Sequence, residues 1–201
     1  MKECNMGQLV DRSGIKLEEV HNLQMYDRIH ELLCLAHKDN SSVAFSTTNV
    51  SKEELENKIY KNQGTIFIAT YNDELVGMMA ISIDKRKKWY CRGKTASLRF
   101  IAVHPDYKGN GIASELVDLC KEWGVKNNLQ TLIWTTAYNN EAAIATAEKN
   151  AFRKADYIKF NSVQHPSIRL VLWLDKSVRN CWKLSVYYCI RKYYVSLLNQ
   201  V

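Results

Sequence analysis

The residues best suited to chemistry stand in one run: Leu98-Arg99-Phe100-Ile101-Ala102-Val103-His104-Pro105-Asp106-Tyr107-Lys108-Gly109-Asn110-Gly111-Ile112-Ala113. LRFIAV suits a buried strand, the two glycines suit a tight turn, and Ile112, Leu116, Leu119, Cys120 and Trp123 recur at helical spacing to about Lys126. The first turn of a helix presents unpaired N–H groups and a partial positive charge. Glycines there let the backbone approach an anion with no Cβ in the way. The segment therefore reads as a phosphate cradle, to which Lys108 adds a point charge. It is not a Walker loop, which needs GxxxxGK[ST]. It is a poor dinucleotide fingerprint too, because Ser114 stands at the third glycine and no acid ends the next strand near residue 135.

The elements that position this turn follow from the change of hydrophobic period along the chain. IKLEEV (15–20) reads as a short first strand, and Leu23, Tyr26, Ile29, Leu32, Leu33 and Ala36 predict a helix to about His37. Ser51 with Glu54 is a capping-box signature opening a second helix to about Asn62. TIFIATY (65–71) and ELVGMMAISI (74–83), joined by Asn72-Asp73, predict a hairpin, with 84–94 an exposed charged connection. After the cradle helix come a strand at 131–136, an alanine-rich helix over 141–150, and strands at 157–160 and 168–174. The order β-α-α-β-β-β-α-β-α-β-β predicts a mixed sheet flanked by helices, an α/β fold, followed by an appended C-terminal helix.

The turn resembles the pyrophosphate motif of the GNAT superfamily of acyl-CoA N-acyltransferases, Gln/Arg-x-x-Gly-x-Gly/Ala, with Lys108 at the Gln/Arg position, Gly111 at the glycine and Ala113 at Gly/Ala. A second segment, Asn140 to Phe152, resembles the family pattern Asn-x-x-Ala-x-x-x-Tyr-x-x-x-Gly-Phe, with Asn140, Ala143 and Phe152 matching in one register. Together with the element order, the resemblance covers roughly residues 15–175. It implies a mostly antiparallel sheet and acetyl-CoA as co-substrate. The backbone amides of Gly109, Asn110, Gly111, Ile112 and Ala113 would hold the diphosphate, and Ile101, Ala102 and Val103 would pair with the pantetheine arm as an added strand does. It also implies acetyl transfer to a primary amine by direct attack in a ternary complex.

Two positions depart from the pattern. Ala151 replaces the glycine, whose left-handed conformation Asn150 is expected to take instead. Ala147 replaces the tyrosine that protonates the departing thiolate, and an alanine is no general acid. Tyr138 is the leading substitute, solvent is another, and a module that binds acyl-CoA without turnover is the third reading. No glutamate stands on the strand before the cradle, where Thr95, Ser97 and Arg99 occur; Asp84 is a candidate base, its ordinary alternative being a solvated strand-end carboxylate. His104 more often shapes a turn than it catalyses. Trp89, Tyr90 and Cys91 could line an acceptor pocket or simply pack locally.

Composition sets the remaining bounds. Hydrophobic residues make up 46% and charged residues 24% of 201, ordinary globular usage. The six cysteines form no close pair, so neither a metal site nor a disulfide framework is expected, and no apolar leader precedes the first strand. A cytoplasmic chain with free thiols is the simplest expectation. The net charge of +7 is concentrated in residues 176–201, where Lys176, Arg179, Lys183, Arg191 and Lys192 meet no acid. Residues 1–175 are thus expected to form the catalytic domain and 176–201 a basic, aromatic helical extension. Packing of that extension on its own domain or in a homodimer ranks ahead of binding to a membrane surface or nucleic acid.

Overall fold

The computed structural model describes residues 14–38, 50–86, 88–158, 166–174, 186–190 and 192. Most of 176–201 and the last two residues of the strand expected at 157–160 lie outside them. The chain runs β1 (Ile15–Val20), α1 (Tyr26–Ala36), α2 (Lys52–Lys58), β2 (Thr65–Tyr71), β3 (Glu74–Ile83), β4 (Thr95–Val103), α3 (Ile112–Lys126), β5 (Thr131–Ala137), α4 (Glu141–Lys149), β6 (Arg153–Ile158) and β7 (Ser167–Trp173). The Ser51 hydroxyl accepts from the Glu54 amide at 3.0 Å, capping α2. Asn72 and Asp73 both take positive φ, 49° and 63°, the twist that a two-residue hairpin requires.

The seven strands form one sheet in the order β1-β2-β3-β4-β5-β7-β6, and every pairing is antiparallel except β4 with β5. Helices cover both faces. α1 and α2 bury Ile29, Leu33, Leu55 and Ile59 against Ile66, Ile68, Met78 and Ala80. On the other face, α3 and α4 bury Ile112, Leu116, Cys120 and Ala147 against Val76, Leu98, Leu132, Trp134 and Leu170. Gly77 on β3 admits α3 at close range: a Cβ there would stand 2.6 Å from Ile112 Cγ2. The helix that opens the cradle is therefore seated directly on the sheet.

Element ends differ from the sequence reading in places: α2 stops at Lys58 and a 3₁₀ turn, Tyr60–Asn62, follows it. β4 begins at Thr95 because Thr95 and Ser97 alternate with Ala96 and Leu98, a half-polar strand that a search for apolar runs passes over. β6 begins at Arg153 because it is the edge of the sheet, where polar residues face water. At the end of α4, Ala151 takes φ 69° while Asn150 stays right-handed at −88°. The Asn150 side chain is committed elsewhere, donating to Ser114 Oγ at 3.1 Å and to the Thr146 carbonyl at 3.0 Å. The turn is a Schellman motif, with Phe152 N–H on the Ala147 carbonyl and Ala151 N–H on that of Glu148. A methyl group in left-handed backbone is strained, so Ala151→Gly is expected to stabilise the fold by about 0.5–1 kcal/mol, read as a rise of roughly 1–4 °C in thermal melting.

Candidate functional site

The cradle takes the expected form. A single 3₁₀ turn, Pro105–Tyr107, leads out of β4, and His104 caps it by accepting from the Asp106 amide at 3.3 Å. Gly109 and Gly111 both adopt φ 85°, and Gly111 is the N-cap of α3. An L side chain rarely takes that conformation, which is the local reason for glycine at each position. A Cβ on Gly109 would meet no atom within 4 Å, so the turn faces open space.

That space continues along the sheet. β4 and β5 pair only from Thr95↔Thr131 to Leu98↔Trp134, although β4 runs on to Val103 and β5 to Ala137. Past that point no strand among the described residues pairs with β4 on its β5 side. The register with β3 also shifts here, Ala80 facing Arg99 and Met78 facing Ala102, and Phe100 within this bulge takes φ 48°. A half-open cavity of about 600 Å³ occupies the gap. Its wall brings together Ile101, Ala102, Val103, Lys108, Gly109, Gly111, Ile112, Ala113 and Asn140 of the sequence-derived set. The Asn110 side chain is buried and donates to the Tyr107 carbonyl at 3.2 Å, bracing the turn from behind. Asn140 also has a structural task, its Oδ1 accepting from the Ala143 amide at 3.1 Å to cap α4.

A strand edge bare of its neighbour, ending in a helix N-terminus with two left-handed glycines, can pair with an extended amide-bearing chain that carries an anion. An acyl pantetheine diphosphate has that form, and the residues present fit it. Lys108 and Lys149 supply cationic groups on the wall.

Asp84 and Tyr138 do not reach the cavity. Asp84 lies at the far end of β3 with its side chain 3% exposed. Its carboxylate accepts from Arg86 N, Nε and Nη2, from Lys88 Nζ and from Ser97 Oγ, all at 2.9–3.0 Å. Burial alone would raise its pKa; the hydrogen bonds from Arg86, Lys88 and Ser97 outweigh that and hold the carboxyl well below the usual carboxylate range. Tyr138 stacks edge-on against Tyr157 at 6.4 Å and lines a separate recess with Tyr157 and Tyr188. Ala147, on the core-facing side of α4, is wholly buried. Trp89 and Tyr90 also pack away from the cavity: Trp89 meets Tyr187 at 4.6 Å, and the Tyr90 carbonyl accepts from Trp173 Nε1 at 3.0 Å. The helical residues 186–190 of the extension thus rest on their own domain through Tyr187 and Tyr188, with Val186 and Ile190 outward.

Sequence reasoning missed His37 and Lys149 on the cavity wall. His37 ends α1, and its Nε2 lies 3.0 Å from the carbonyl of Ile101, 64 residues away in sequence. No local pattern signals that crossing. Lys149 falls within the Asn140–Phe152 segment, but its place on the cavity wall follows only from where α4 lies.

A family model described as the acetyltransferase (GNAT) family matches residues 26–152. An acetyltransferase of Pectobacterium atrosepticum is 24% identical over 110 residues, 55% of this chain and 72% of that protein. The N-alpha-acetyltransferase 30 of Homo sapiens is 29% identical over 109 residues, 54% of this chain and 29% of that much longer protein. Among solved structures, yncA from Salmonella typhimurium with its cofactor acetyl-CoA superposes with a TM-score of 0.61 at 14% identity, covering 82% of this chain and 96% of that one.

Proposed function

The chain belongs to the GNAT acetyltransferase family, and from that premise we propose that it transfers the acetyl group of acetyl-CoA to a primary amine, by direct attack in a ternary complex. The observation that carries this reading is the open β5-side edge of β4 ending at the glycine cradle. Gly109, Asn110, Gly111, Ile112 and Ala113 hold the diphosphate through their amides, with Lys108 and Lys149 adding charge. The backbone of Ile101, Ala102 and Val103 takes the pantetheine arm and orients the thioester toward the bulge at Phe100. A strand amide there receives the charge that develops on the carbonyl oxygen. Solvent protonates the departing thiolate, since a thiol of pKa about 8.5 leaves without a dedicated acid. The buried Ala147, and a Tyr138 that lines a neighbouring recess and not the cavity, favour solvent for this step.

The first acceptor class to test is the free N-terminus of a peptide, on the strength of the N-alpha-acetyltransferase relative. The same Ala147 supports one rival, an acyl-CoA-binding module with little or no turnover. A division at residue 175, a cytoplasmic location, a homodimer, and contact of 176–201 with a membrane surface or nucleic acid are further proposals that rest on the sequence. No helix among the described residues is long and apolar enough to cross a membrane, and none of their His, Cys, Asp and Glu side chains group to hold a metal.

Thermal melting with acetyl-CoA is the deciding experiment. Ligand at about 100 times Kd adds about 2.7 kcal/mol to native stability. The expected rise for a chain of this size is roughly 5–10 °C. No rise at millimolar acetyl-CoA sinks the proposal. A rise without CoA release against a peptide panel leaves the binding module.

A further inference from the structure

A neutral amine that attacks the thioester must shed a proton as the new carbon–nitrogen bond forms, and the sequence-derived candidate to take it, Asp84, is locked into ion pairs far from the cavity. Among the described residues that line the cavity, the titratable ones are His37, Tyr107, Lys108 and Lys149. A lysine ammonium offers donors only and has no lone pair to give. Tyr107 donates its hydroxyl to Glu74 at 2.8 Å and stacks on His104 and Tyr71. His37 remains.

The geometry settles which nitrogen of His37 is free. The Ile101 carbonyl can only accept, so the contact at 3.0 Å requires the proton on Nε2. A neutral imidazole protonated there keeps its lone pair on Nδ1, which meets no hydrogen-bond partner among the described residues. The contact also fixes where the ring sits. Ile101 belongs to the bulge at which β4 loses β5, and an arm anchored at the Gly109–Gly111 turn must run back along β4 to that bulge. The reacting carbonyl thus arrives beside the ring. A carbonyl oxygen has two lone pairs, so that of Ile101 can hold His37 and still accept from the arm.

We propose that His37 is the general base of the transfer, anchored through Nε2–H to the Ile101 carbonyl and accepting the amine's proton at Nδ1. The proposal rests on the acetyltransfer reading above. In the step, the amine nitrogen bonds the thioester carbonyl carbon and yields its proton to Nδ1. The carbon–sulfur bond breaks, the thiolate sulfur takes a proton from solvent, and the imidazolium releases its own proton to solvent, which restores the neutral ring. The charged groups sharing the wall, Lys108 on the turn and Lys149 on α4, are both cations. Burial first, and then Lys108, lowers the His37 pKa against the opposing pull of the Ile101 carbonyl, which keeps the ring neutral and receptive at pH 7.

The test uses the full chain and His37→Gln, whose amide nitrogen can still donate to Ile101 but whose side chain is no base. In the unliganded wild type, nitrogen-15 NMR should find the Nε2-protonated tautomer titrating below pH 6.5. His37→Gln should bind acetyl-CoA within about threefold of wild type, yet lose about 100-fold or more in peptide-dependent CoA release, together with the acidic limb of the pH–rate profile. Wild-type release in His37→Gln, an unchanged profile, or an Nδ1-protonated ring overturns the base alone. A wild type that binds acetyl-CoA and releases nothing with any amine overturns the enzyme reading and the base with it.

Discussion

Gly111→Val is expected to weaken acetyl-CoA binding by about 100-fold or more, since two or three amide bonds to a charged diphosphate, each worth about 1.5–3 kcal/mol, depend on the turn this glycine forms. Gly111 has φ 85° at the N-cap of α3, a conformation that a β-branched residue adopts only under strain. Valine can relieve the strain by turning φ negative, which rotates the first N–H groups of α3 away from the cavity. The rest of α3 is held by Ile112, Leu116, Val117 and Cys120 in the core, so the fold should survive with a loss of about 1–3 kcal/mol. Isothermal titration reads the affinity and thermal melting the stability. Unchanged affinity in a folded Gly111→Val protein would refute the cradle.

Asp84→Asn is expected to do the reverse, lowering stability by about 2–4 kcal/mol and leaving acetyl-CoA affinity alone. The carboxylate now satisfies donors from Arg86, Lys88 and Ser97; an asparagine turns its own NH₂ toward cations and leaves Lys88, whose side chain is only 10% exposed, without a counter-charge. Melting should fall by roughly 5–12 °C at pH 7. The pH dependence has a definite sign. Folding depresses the Asp84 pKa from its ordinary 3.8, so its contribution is in place above that value and is lost as the pH falls through the lower folded value. The gap between wild type and Asp84→Asn should therefore close only in strong acid. A variant that melts like wild type but no longer releases CoA would return Asp84 to the role of base.

These two residues mark the line between what each level of description can supply. The cradle was legible because it is local. A strand, two glycines and a helix start occupy sixteen consecutive residues from Leu98 to Ala113, and the left-handed turn they require is dictated by backbone sterics within that run. The element order was legible for the same reason: periodicity, the Ser51 cap and the Asn72-Asp73 turn each act over a few residues. Strand ends were read less well, since Thr95–Ser97 and Arg153–Lys154 are polar on one side and become strand only because a neighbour supplies the ladder.

The tertiary structure alone decided which side chains meet. Asp84 ends a strand much as a catalytic carboxylate could, and only the packing of Arg86, Lys88 and Ser97 around it turns it into an anchor. Asn150 seemed free to turn left-handed until its amide proved to tie α4 to Ser114 of α3, leaving Ala151 to take the strain. His37 has no signature in its own segment; it joins the cavity wall because α1 lies across β4 and delivers its last turn to Ile101. Backbone conformation is set over a few neighbouring residues, so the sequence by itself determined the family's fold and its left-handed glycine turn. Proton chemistry depends on distances of about 3 Å between residues far apart in the chain, and only the folded arrangement fixes those.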